Sequence, residues 1–345
     1  MSADTAAAPG TQPAVAQRSS EPLRVADPPG HAAPRAARWR SLVWCLVPAL
    51  GLVELGAQLS VSHRAPSQAE WASLRPQLAR MKQPADLVLV APAWAGVNAR
   101  YALGDELLPL KGLARPDESS FPRAIEVSAL GEHSSAISSW PTLEVQQVGP
   151  FTLTLKQNPA PARVLFDFVD QLLPQHAEVF TIQAGTQVRD ECPFNRASRV
   201  TSGGLGGPPT FPAARFQCSG AEWFFMGVTV IDDSFEYGPK RCIWAHPTPN
   251  GNIGVVYREV PLGTTIHGYA QLPWLNERLA HGAPITLTLR VGGQELGSFV
   301  HRDGEGWKGF EFPLGVFAGS KQDVEFLVTT PNADNRHFCF QADTR

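Results

Sequence analysis

One apolar run, Ser41 to Leu59, constrains this chain more than any other feature, because Arg35, Arg38 and Arg40 stand directly before it and nothing comparable follows. Basic residues beside a spanning helix stay on the cytoplasmic side, so the pattern predicts a short inner tail and a large exported portion. Leu42 to Val53 carries no charge, whereas a full bilayer span takes ~20 mostly apolar residues. Glu54 and Gln58 interrupt the second half. Two readings follow: a signal anchor over residues 41–62, which is the one expected, or a signal peptide whose apolar part ends near Val53. The position three before a cut after Ala57 is Leu55, too large for a good cleavage site. Within an anchor, Glu54 would be a costly acidic group and a contact point for a partner helix.

Residues 1–40 are rich in Ala and Pro with few large apolar side chains, and read as a disordered cytoplasmic tail. Beyond the anchor, enough chain remains for about two domains. The net charge of -3 gives no electrostatic reason to expect nucleic acid. Of the five cysteines, Cys192, Cys218, Cys242 and Cys339 lie in the exported part, where an even number suggests two disulfides. Their long, unequal spacings do not suit zinc. Three pairings are open, and the one expected is Cys192 with Cys218 and Cys242 with Cys339.

Residues 67–160 carry mixed signals and read as a small α/β domain. Ser67 to Glu70 fits a capping box, and Trp71, Leu74, Leu78 and Met81 share one helical face that Pro76 must kink or shorten. Asp86 to Ala91 has the continuous apolar run of a strand covered on both faces. Ala124 to Leu130 predicts a second strand, and Leu143 to Val148 with Phe151 to Leu155 a hairpin about Gly149 and Pro150. Trp71 to Tyr101 resembles the extracytoplasmic part of multi-spanning glycosyltransferases that use lipid-linked sugars. That resemblance implies an envelope-glycosylation setting and a membrane glycosyltransferase as partner; with one span at most, it does not carry the activity over.

Residues 177–345 change to short strands separated by Gly and Pro turns. Ile285, Leu287 and Leu289 alternate with Thr286, Thr288 and Arg290, as a half-buried antiparallel strand requires. Gly292-Gly293 and Asp303-Gly304 read as hairpin signals. The stretches Ile285 to Gly297, His301 to Trp307 and Arg336 to Asp343 resemble galactose-binding-like jelly rolls, the architecture of carbohydrate-binding modules, over roughly Gly220 to Arg345. A bridge from Cys242 to Cys339 suits a fold whose ends meet. The fold class expected is therefore α+β and multi-domain: one transmembrane helix, a small α/β domain and a C-terminal antiparallel β-sandwich.

No catalytic motif is present, so a non-catalytic role in glycan recognition leads, with an extracytoplasmic hydrolase or glycosyl-transferring enzyme as the alternative. No cofactor or metal is expected. The glycine-rich stretch from Ser202 to Pro209 lacks the Lys and the following helix of a phosphate cradle. Asp190-Glu191 and Asp232-Asp233 read as solvated pairs. Sugar rings stack on exposed indoles, which singles out Trp223, Trp244, Trp274 and Trp307. Trp274 and Trp244 are the leading ligand contacts, with Asp303 and Glu305 in their turn as polar partners. Whichever tryptophan stands on a loop marks the site.

Overall fold

The computed structural model describes residues 36–200, 210–233, 238–279 and 281–345. The tail reading of residues 1–35 and the glycine-rich stretch at 202–209 lie outside the described residues. Residues 1–63 and 64–345 are two separate units.

In the first unit, Ala36–Arg64 is a 29-residue helix with Pro48 inside it. Its described side chains, from Trp44 to Ser60, are exposed. No helix among the described residues is long and apolar enough to cross a membrane. The helix expected from the apolar run is present, but its hydropathy is not that of a span.

The second unit opens with the expected capping box: Glu70 N–H donates to Ser67 Oγ at 3.3 Å and Ser67 N–H to Glu70 Oε2 at 2.7 Å. The helix then breaks at Leu74 into Gln68–Ser73 and Arg75–Met81, with Pro76 in the first turn of the second piece, where its missing N–H costs nothing. Trp71, Leu74 and Leu78 are buried, and Trp71 lies against Phe151 at 4.4 Å between ring centroids. Beneath them runs a four-stranded sheet in the order Leu87–Ala91, Arg123–Ala129, Phe151–Gln157, Thr142–Val148. The first pair is parallel and the others antiparallel. Gly149 turns the hairpin with a φ of 55°.

The remainder is a β-sandwich. One sheet has eight strands; its continuous run is Lys308–Pro313, Thr265–Gln271, Phe338–Thr344, Pro239–Ala245, Phe225–Asp232, Arg215–Gln217 and Phe194–Asn195, with Phe166–Asp167 beside Phe338–Thr344. The other has six: Gln294–His301, Ile285–Val291, Lys321–Thr329, Asn252–Pro261, Ala177–Ile182 and Arg189–Glu191. Ile285, Leu287 and Leu289 point into the core with Tyr257, Phe326 and Phe340. The Tyr257 hydroxyl, buried there, donates to the Phe168 carbonyl at 2.9 Å.

Both disulfides form with the expected pairing. Cys192–Cys218 ties the end of a six-stranded-sheet strand to the eight-stranded sheet, and Cys242–Cys339 links neighbouring strands within the latter. Two expectations need correction. Asp303-Gly304 does not turn a hairpin, because the strands on either side belong to different sheets. Asp233 is buried rather than solvated, at 5% exposure.

Candidate ligand-binding site

Three loops converge at one end of the sandwich: residues 218–224 before Phe225–Asp232, residues 246–251 after Pro239–Ala245, and residues 330–337 before Phe338–Thr344. They enclose a cavity of about 690 Å³ lined by Trp223, Phe224, His246, Asn332, Asp334 and His337 among others. Loops on a rigid scaffold are where binding groups accumulate.

The third loop is shaped by its own polar residues. Thr330 Oγ1 donates to the Asn332 carbonyl, Asn332 Oδ1 accepts from Asp334 N–H at 3.0 Å, and Asn335 turns the chain with a φ of 56°. Asn276 Nδ2 donates to the Asn335 carbonyl at 2.9 Å. The next residue, Arg336, sends its guanidinium beneath the loop to Asp303 Oδ1 at 2.5 Å and to the Ala283 carbonyl at 3.1 Å. Burial by itself would raise the Asp303 carboxyl, but Arg336 and the Gly282 N–H hold it below its ordinary value.

Behind the cavity stands an aromatic layer. Trp244 is fully buried, stacks on Phe225 at 5.6 Å, and donates its Nε1–H to the Trp223 carbonyl at 3.3 Å. That bond fixes the loop whose indole, Trp223, stays 44% exposed. His337 lies 5.1 Å from Trp244 and 4.8 Å from His246, ring to ring. Burial pulls His246 down to about 4 and His337 to about 3, the neighbouring His246 adding to the second shift. Both imidazoles are therefore neutral at pH 7. His246 Nδ1 lies 2.7 Å from the Pro247 carbonyl, which can only accept, so Nδ1 carries the hydrogen and Nε2 is left as an acceptor. The site thus combines a half-exposed indole with neutral hydrogen-bonding groups and one carboxylate, Asp334. Among the described residues, no Lys or Arg lines it.

Trp223 and Trp307 stand on loops, and of the two Trp223 lines the cavity. Trp244, expected as a ligand contact, is corrected: with no exposed surface it forms the rear layer. Trp274 starts the short helix Trp274–Leu279, half-buried under the Arg278 guanidinium at 4.3 Å, and does not line the cavity. Asp303 is likewise corrected from contact to anchor, since its side chain is 5% exposed and given to Arg336. Glu305 accepts from Arg302 N–H and Lys308 Nζ, each at 2.8 Å, and so braces its own turn. Trp307 stacks on Tyr269 at 5.7 Å and donates to the Pro116 carbonyl at 3.1 Å, joining sandwich to α/β part. His246, His337 and Asn332 were not expected. The run from Pro331 to Asn335, a turn-forming cluster between two strands, signals the loop that carries Asn332 and leads to His337, and it gives no sign of His246.

A polar pocket at the junction of sandwich and α/β part gathers Asp117, Ser119, His267, Tyr269 and Arg345. There Arg345 pairs with Asp343 at 2.6 Å and Asp117 at 3.5 Å, and its Nη1 donates to Ser119 Oγ at 2.8 Å. Burial opposes ionisation of Asp117, but the Ser119 hydroxyl and Arg345 outweigh it and hold the carboxyl low. The charges satisfy one another, which suits a lock between the two parts.

No protein-family model matches the chain, and no curated protein matches it. Among solved structures, the CBM51-2 and INT domains of Clostridium perfringens ZmpB are 9% identical, with a TM-score of 0.26 over 34% of this chain and 26% of that one. The CBM51 module of Clostridium perfringens GH95, solved with methyl-galactose, is 12% identical at a TM-score of 0.25, over 34% of this chain and 81% of that one. A CBM61 module solved with β-1,4-galactotriose is 17% identical at a TM-score of 0.18, over 36% and 70%. At these scores the likeness leaves function to be read from the site itself.

Proposed function

We propose that the chain recognises a glycan through the aromatic pocket at the end of its sandwich, outside the cytoplasm. The carrying observation is the pairing of the 44%-exposed Trp223 indole with two neutral histidines around one cavity of about 690 Å³. A sugar ring presents an apolar C–H face that stacks on an indole, while its hydroxyls need uncharged donors and acceptors at the rim. His246 Nε2 and Asn332 meet that need, and the Asp334 carboxylate adds a further acceptor. Two disulfides support an oxidising compartment. A role beside an envelope glycosyltransferase is a narrower form of the same proposal.

The test is a glycan array probed with the full chain, with Trp223→Ala beside it. Binding of at least one saccharide class that falls ~10-fold or more in the variant is expected, as loss of an aromatic stack of about 1.4 kcal/mol implies. An unbound array, or equal binding by the variant, overturns the proposal.

A further inference from the structure

A second cleft, remote from the aromatic pocket, opens where the four-stranded sheet meets the sandwich. It holds about 330 Å³ and is lined by the end of strand Leu87–Ala91, by Trp94, Arg115, His133 and Ser134, and by Lys240 from the sandwich. Leu87–Ala91 and Arg123–Ala129 are the parallel pair, and the carboxyl ends of parallel strands are where open α/β sheets place their ligands.

Glu126, in the second of those strands, is 0% exposed. Desolvating a carboxylate costs several kcal/mol, an expense that an apolar residue between Ile125 and Val127 would spare the sheet. Its two oxygens are spent on the next turn: Oε2 lies 2.9 Å from His133 Nδ1, and Oε1 accepts from Ser134 N–H at 2.6 Å. Facing a carboxyl oxygen that accepts, Nδ1 carries the hydrogen, and Nε2 keeps a lone pair. The His133 side chain is 59% exposed although its orienting partner is buried. A base held in one tautomer by a buried group, with its other nitrogen accessible, is the arrangement that general-base catalysis requires. The charged groups sharing the cleft are Arg115 and Glu118, paired at 2.6 Å, and Lys240. The one net positive charge suits a developing oxyanion, and the half-exposed Trp94 suits the apolar side of a small alcohol.

We propose that this cleft hydrolyses carboxylic esters, with His133 as general base and Glu126 as its positioning residue. Nε2 takes a proton from water as the water oxygen bonds to the acyl carbon. The ester C–O bond then breaks, and the proton passes from Nε2 to the departing alkoxide. Ester and water become acid and alcohol, and no oxidant or reductant is needed. Ester rather than amide is the class chosen, because an alkoxide is a far weaker base than an amide anion and departs more readily from a site with one general base.

The test is hydrolysis of p-nitrophenyl acetate and butyrate by the full chain. His133→Ala strands one oxygen of buried Glu126 and should lower the melting temperature by a few degrees, while a cooperative melt shows the chain still folded and kcat/KM falls by ~100-fold or more. His281→Ala, exposed and outside the cleft, controls for hydrolysis by any free imidazole. Glu126→Gln should lower kcat with little change in KM and displace the pH profile, and Glu126→Asp should restore part of the rate. Hydrolysis by the parent no faster than by His133→Ala, or an equal fall in His281→Ala, refutes the proposal. So does a parental pH profile in a folded Glu126→Gln.

Discussion

Asp303→Ala is the sharpest perturbation of the binding site, because Asp303 holds the third loop from beneath without lining the cavity. In the native chain its carboxylate and the Arg336 guanidinium are 5% and 3% exposed and meet at 2.5 Å. Removing the carboxylate leaves the guanidinium with the Ala283 carbonyl as its partner, at 3.1 Å. Breaking a buried pair from one side destabilises by about 3–5 kcal/mol, since the remaining charge is stranded in a poor solvent. At ~2 °C per kcal/mol for a unit of this size, the melting temperature should fall by roughly 6–10 °C. The Asp303 carboxyl is held below its ordinary value, so its contribution is complete above the unfolded pKa, ~3.9, and is lost as pH falls through the folded one. Parent and variant should therefore differ fully at pH 7 and converge in strong acid. Urea melts at several pH values measure this directly. Replacing both partners, Asp303→Leu with Arg336→Met, should recover much of the loss. A single variant within ~0.5 kcal/mol of the parent at pH 7 would refute the anchoring role; that margin is the ordinary scatter of surface changes.

His246 and His337 are held near 4 and 3, below the ordinary 6.5, so on acidification the unfolded chain takes protons that the native state refuses. Stability should fall from pH 6.5 toward 4, at up to about 1.4 kcal/mol per pH unit for each histidine, and a flat urea midpoint over that window contradicts the assignment. Cys242→Ser with Cys339→Ser opens a link between residues 97 apart, and denaturant melts should show a loss of ~4–5 kcal/mol if chain entropy dominates. Gly254→Ala puts a Cβ 2.5 Å from the Phe180 ring, and thermal melts should show about 1–3 kcal/mol of destabilisation from overpacking.

Several features were legible because they depend on near neighbours. The Ser67–Glu70 box, the break before Pro76 and the alternation of Ile285, Leu287 and Leu289 depend on spacings of two to four residues. Strand Pro239–Ala245 escaped notice because Pro239, Lys240 and Arg241 mask its alternation at one end. Only in the sheet does it gain partners on both sides, Phe225–Asp232 and Phe338–Thr344. Asp303 and Glu305 are polar and adjacent to a turn, and sequence alone does not distinguish a residue that faces a ligand from one that braces a loop. Arg336, 33 positions away, makes that distinction for Asp303.

By itself the sequence determined what local periodicity and composition can: a β-rich C-terminal part with a small α/β part before it, and four cysteines available to pair. Among its tryptophans it named a set whose exposure it could not rank. Tertiary structure decided which indole meets solvent. Trp223 and Trp244 lie 21 residues apart and are joined by a bond from the indole of one to the carbonyl of the other, yet Trp244, packed against Phe211 and Phe225, is buried while Trp223 stays open. Burial is a property of the packed assembly, set by which distant strands and loops close over a side chain, and near neighbours in the chain do not encode it.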